Sequence, residues 1–125
     1  MSLNDARAHV SKAREFLEAA EVNRGLELFN AATSAAVISG INSKDAICTT
    51  LTGRTGKADA HAEAIAELRA AGPAGVALTS TLSRLLKLKT KSQYQPVSVA
   101  AADATKAVEW ATRLLEGADE VVSSR

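Results

Sequence analysis

Apolar positions in this chain recur at alternating intervals of three and four. Leu3, Ala6, Val10, Ala13, Leu17 and Ala20 fall on one stripe of a 3.6-residue period, which predicts a helix over about 3–22, with Ser2 or Asn4 to cap it. Leu26, Phe29, Thr33, Ala36, Gly40, Ser43 and Ile47 continue the rhythm with much smaller residues after Phe29, so a second helix is expected over about 24–52. Gly40 and Asn42 each weaken a helix interior relative to alanine, so a kink or a close helix contact is expected there in preference to a break. The run Gly53-Arg54-Thr55-Gly56-Lys57 has two glycines and no apolar residue, the signature of a loop.

Asp59 reads as an N-cap for a short third helix, about 59–71, built on Ala62, Ile65 and Leu68 and stopped by Ala71-Gly72-Pro73. Val76, Leu78, Leu82, Leu85, Leu86 and Leu88 predict a fourth, about 74–92, ending before Gln95-Pro96 because the residue preceding proline avoids helical dihedrals. The last stripe, Ala104, Val108, Ala111, Leu115, Ala118 and Val122, predicts a helix over about 98–122, with Ser98 as cap and Asp103 in the first turn. Short loops between five such helices imply antiparallel neighbours. The expected fold is therefore all-α: an antiparallel up-and-down bundle of about five helices in one domain, residues 1–125.

Composition sharpens this. Of 125 residues, 26 are alanine, and the aromatics are Phe16, Phe29, Tyr94 and Trp110 alone. A sheet would need more Val, Ile, Tyr and Phe, so the core must come from closely packed small side chains, within one chain or between two. A single Cys48 excludes an intramolecular disulfide and a cysteine-rich zinc module, and reads as a small buried residue. No stretch reaches the ~18–20 apolar residues of a membrane span. The opening Met1-Ser2-Leu3-Asn4-Asp5 has no basic segment followed by an apolar one, so a cytoplasmic location is expected. Trp110 stands at the border of the last apolar stripe, where it would serve as a core-edge residue or as an interface anchor.

The near-neutral total of 15 Lys and Arg against 14 Asp and Glu excludes a strongly charged tail but conceals an asymmetry. Between Leu68 and Ala102 there is no acid, while Arg69, Arg84, Lys87, Lys89 and Lys91 are all basic. From Asp103 onward five acids outnumber Lys106, Arg113 and Arg125. Cations at a helix C-terminus complement its dipole. The same cluster, followed by Tyr94 for stacking or hydrogen bonding, also suits the phosphates of a nucleotide or RNA.

Other chemistry is thin. His9 and His61 lack the spacing of a metal pair, and no Walker loop, Gly-x-Gly-x-x-Gly or Gly-x-Ser-x-Gly occurs. No metal and no cofactor are expected. The Gly53–Lys57 loop combines backbone donors with two cations ahead of a helix, which is compatible with phosphate and equally with an ordinary solvated loop.

A small-residue helix pair, a Gly-basic loop leading into Asp59-Ala60-His61, an Ala/Leu helix, then Lys89-Thr90-Lys91-Ser92-Gln93-Tyr94 and a long Ala-rich last helix follow one another in order. Across nearly the whole chain this resembles a HEPN domain of bacterial type. HEPN domains are helical bundles, often encoded beside nucleotidyltransferases, and many carry Arg-x-x-Ala-x-Tyr after the penultimate helix. Lys89, Ser92 and Tyr94 would take those places, with Lys for Arg and Ser for Ala; the lysine keeps the charge but loses the bidentate fork. Catalytic members are metal-independent ribonucleases with Arg-x(4–6)-His acting on the 2′-hydroxyl and the scissile phosphate. Arg54 and His61 match that spacing but precede the third helix, whereas the family motif lies beside the last one.

The resemblance implies, first, a non-catalytic module that binds nucleotide, RNA or a partner protein, such as a nucleotidyltransferase-type or toxin–antitoxin partner. Its contacts would be Arg84, Lys87, Lys89 and Tyr94, with Arg54 and His61 at the same end, and it would form a homodimer through small-residue faces. Two alternatives stand beside it: an endoribonuclease using Arg54 and His61, and a purely structural dimeric interaction protein anchored by Trp110.

Overall fold

The computed structural model describes residues 3–56, 60–93 and 95–125. Six helices appear in order: α1 (Leu3–Gly25), α2 (Phe29–Thr52), α3 (His61–Ala70), α4 (Pro73–Val76), α5 (Thr79–Gln93) and α6 (Ala101–Ser123). The four long ones form an up-and-down bundle, and α3 and α4 fill the connection from α2 to α5. Ser39 Oγ of α2 donates to the Ala13 carbonyl of α1 at 2.7 Å, a contact that only a small side chain at a close helix approach can make.

Contacts at the helix ends fix the directions. Ser34 near the start of α2 bonds Ser92 near the end of α5 at 3.2 Å, so α2 and α5 are antiparallel. Asn30 Oδ1 accepts the Val99 amide at 2.8 Å just ahead of α6. Leu51, at the far end of α2, shares a cleft with Gly117 and Val121 of α6. Those two helices therefore run parallel and pack across the short diagonal, and α2 is buried on almost every side. Its length carries alanines, serines and Gly40 where a peripheral helix would carry a single apolar stripe.

Gly40 lies inside an unbroken helix. A Cβ there would stand 2.5 Å from Leu85 Cδ2 and 3.1 Å from Leu114 Cδ1, so the glycine marks a close contact with α5 and α6. The stripe residues Ala6, Ala13, Ala20, Ala36, Ala104, Ala111 and Ala118 are all buried within the chain. Close packing of small faces is thus intramolecular.

Several boundaries differ from those the pattern predicts. Leu26 does not open α2: it lies in a three-residue turn, 65% exposed, beside Glu27, whose φ of 62° is left-handed. The fourth predicted helix is two helices, so six and not five appear among the described residues. Proline at the start of α4 sets it off from α3, and a corner at Ala77–Leu78 separates it from α5, where Thr79 Oγ1 donates to the Val76 carbonyl at 2.9 Å. Gly75 lets α4 lie close against α3, since a Cβ on it would meet the Leu68 carbonyl oxygen at 2.0 Å. Ser98 does not cap the last helix, which begins at Ala101 with Ala100 at the N-cap and no side-chain bond. Ala60 occupies the N-cap of α3, and Asn4 lies inside α1 and not ahead of it; Ser2 and Asp59, the other expected caps, lie outside the described residues, as does Tyr94. Among the described residues no helix is long and apolar enough to cross a membrane.

Candidate functional site

The cations of α5 share a sequence cluster but not a surface. At 100° per residue, Arg84, Lys87 and Lys91 stand at i, i+3 and i+7 on one stripe. Arg84 and Lys87 are exposed there, and among the described residues neither makes an ion pair. Lys91 is half-buried and held by Asp103 of α6 at 3.4 Å, so part of its charge is already compensated. Lys89 lies on the other side of the helix, four residues beyond Leu85 and three beyond Leu86, and is half-buried at the end of the stripe those leucines bury. The cluster therefore resolves into two surface cations without an ion pair among the described residues, one partly compensated cation and one at the core edge.

His61 approaches this surface from α3. Its Nε2 lies 3.1 Å from Ser83 Oγ, in a hydrogen bond, and Ser83 is one turn before Lys87 on the same flank of α5. The first turn of α3 and the exposed stripe of α5 thus adjoin at Ser83, Arg84 and Lys87. Neutral imidazole can donate or accept at Nε2 according to tautomer, so this edge of the ring is occupied by the serine.

Arg54 lies elsewhere. It is exposed beyond the C-terminus of α2 and lines a cleft of about 420 Å³ with Cys48, Thr52, Thr55, Gly56, Glu67 and Ala70. His61 is not among the lining residues of that cleft. Lys89, further along α5, points toward the opposite end of the bundle from Arg54, as the Ser34–Ser92 contact shows. Arg54 and His61 therefore do not share an end with the whole basic segment; His61 meets its first half. Trp110 is half-buried and packs against the hydrophobic core.

Beneath the Arg54 cleft is a charged group that sequence spacing does not single out. Lys44, 1% exposed, is a buried charge on α2. Its Nζ lies 2.7 Å from Asp45 Oδ1 and 3.3 Å from Glu67 Oε1, and donates to Thr55 Oγ1 at 3.2 Å. Thr55 in turn donates to Asp45 at 2.7 Å, and the Gly56 amide donates to the second oxygen of Glu67. Burial pulls the Lys44 pKa down, but the hydrogen bond to Asp45 and the charges of Asp45 and Glu67 outweigh it, and the ammonium ends above its ordinary 10.5. Cys48, one helical turn from Lys44, is buried, free of any disulfide, and donates to the Glu67 carbonyl at 3.6 Å. Burial pushes its thiol up to about 11, against the pull of Lys44. The only trace of this network in the sequence is a Lys-Asp pair inside a helix of small residues.

Among the described residues no group of three or more His, Cys, Asp or Glu is placed to hold a metal ion. His9 bonds Asn42 at 3.2 Å across the α1–α2 contact. No family model matches the chain, and no curated protein matches it.

Proposed function

We propose that the chain is a non-catalytic, HEPN-like helical module that binds the phosphates of a nucleotide or short single-stranded RNA on the exposed stripe of α5. Arg84 and Lys87 are the principal contacts and His61 flanks them. One observation carries the reading: two exposed cations, one turn apart and without ion pairs among the described residues, lie in a span from Leu68 to Ala102 that contains no acid. Guanidinium and ammonium groups so placed suit phosphate oxygens, which fix position without reading sequence. Lys89 adds positive potential from the core edge, and Tyr94 follows in the chain as the stacking residue.

The test is the salt dependence of binding to a short single-stranded RNA, followed by anisotropy. Each phosphate contact contributes about 0.7 to the slope of log affinity against log salt, so Arg84→Gln with Lys87→Gln lowers the slope by about 1.4 and weakens binding. An unchanged slope and affinity in the double variant would reduce these cations to helix-end electrostatics. Recovering the RNA and sizing it, beside a His61→Ala control, separates binding from cleavage; intact strands are expected. A partner protein or a second copy would have to use surfaces other than the small-residue stripes, which are spent inside the bundle.

A further inference from the structure

The least expected chemistry in the core is the charge of Lys44. A buried ion pair is poor value for stability, because desolvation offsets most of the attraction; its best-attested use is to fix one arrangement among several. The arrangement at issue here is the seat of α3. That helix has 10 residues, too few to persist alone in water, and it buries only Ala64 and Leu68 fully, with Ile65 in part. Most of what ties it to the bundle is polar: Glu67 to Lys44, the Cys48 thiol to the Glu67 carbonyl, and His61 to Ser83.

We infer that Lys44 is a positioning residue for the α5 face: by holding Thr55 ahead of α3 and Glu67 within it, it seats α3 so that His61 rests beside Ser83 and Lys87. This inference rests on the binding reading above. Geometry supports it at both ends of the tether. Lys44 reaches the segment that enters α3 through Thr55 and the last turns of α3 through Glu67, and the Gly56 amide closes the ring onto the same carboxylate. Thr55, Gly56 and the end of α3 are thereby fastened around a single buried ammonium. Without that tether, Leu68 and the His61–Ser83 bond are left to hold α3, and local opening becomes easier than opening of the long helices.

Lys44→Met takes the ammonium from Asp45 and Glu67 together and risks the whole fold, so the informative variants are Glu67→Gln and Thr55→Val, in which the ammonium keeps Asp45. Three readouts apply to the full chain: the nuclear Overhauser contact between the His61 ring and Ser83, the rate of Cys48 alkylation by iodoacetamide, and amide exchange in α1, α2 and α6. In Glu67→Gln the ring contact weakens and Cys48 reacts at least about tenfold faster, as loss of a charge-assisted hydrogen bond predicts, while the long helices keep their protection. RNA affinity falls toward that of His61→Ala. Parental ring contacts and alkylation rates in both variants would overturn the inference. If the parent itself shows no RNA affinity while the ring contact and alkylation respond as described, the seating role stands and the binding reading fails.

Discussion

Two sides of this bundle are held together by opposite means. Where α1, α2 and α6 meet, backbones come close and alanine and serine fill much of the space around Leu17, Ile47, Leu114 and Leu115, so cohesion comes from many short apolar contacts. Where α3 lies over α2 and α5, a short helix covers a buried ammonium and is fastened at named polar atoms. The first arrangement should open only with the whole protein, whereas the second should open by itself. The candidate binding face lies along the second, as expected where a site needs a side chain such as His61 to be placed by its neighbours and not by a backbone locked in the core.

Adding bulk on the close-packed side is the harshest way to break that contrast. Ser39→Leu drives a branched side chain into a gap where the serine oxygen is 2.7 Å from the backbone of α1; it should cost about 3 kcal/mol in urea unfolding. Ser39→Ala, which gives up only the hydrogen bond, should cost about 1 kcal/mol. Equal costs would mean that the helices yield easily and are not close-packed.

A substitution on the other side should act locally. In Gly75→Ala the new methyl meets the Leu68 carbonyl and backbone must move, at a cost of about 2 kcal/mol. Exchange protection should fall first in α3 and α4 and least in α1 and α6.

Alkali offers the mildest probe. Lys44 and Cys48 both hold their protons more tightly in the folded protein than their ordinary values of 10.5 and 9.0. Raised folded-state pKa values make the unfolded chain release protons first, so their contribution is complete at neutral pH and below. It begins to decline as pH passes about 9, where the unfolded thiol ionises, and goes on falling through about 11. The urea midpoint should therefore drop between pH 8 and pH 10.5, less so in Cys48→Ala. A midpoint that rises over that range would reverse the sign of both shifts.

Much of the fold was legible because its helices are long and their apolar period is regular. The stripes of α1 and α6 named the buried residues almost one for one, and Gly40 marked its own close contact. Leu26 and Val76 misled, because spacing alone does not show a break: the turn at Glu27 leaves Leu26 in solvent, and the corner at Ala77–Leu78 ends α4 at Val76, which is also exposed. The site was half legible. The acid-free span pointed to α5, but a count of charges carries no helical phase for the partners, so Lys91 gave no hint of Asp103 and Lys89 none of its place at the core edge.

By itself, then, the sequence determined an all-helical bundle closed by small residues, since helix propensity and a 3.6-residue period are local properties written at each position. Tertiary structure decided which cations stay free, that His61 meets Ser83, and that Lys44 lies under α3. Those depend on residues 12 or more positions apart meeting at a shared surface, and the free energy that selects such a meeting belongs to the packed chain and not to any stretch of it.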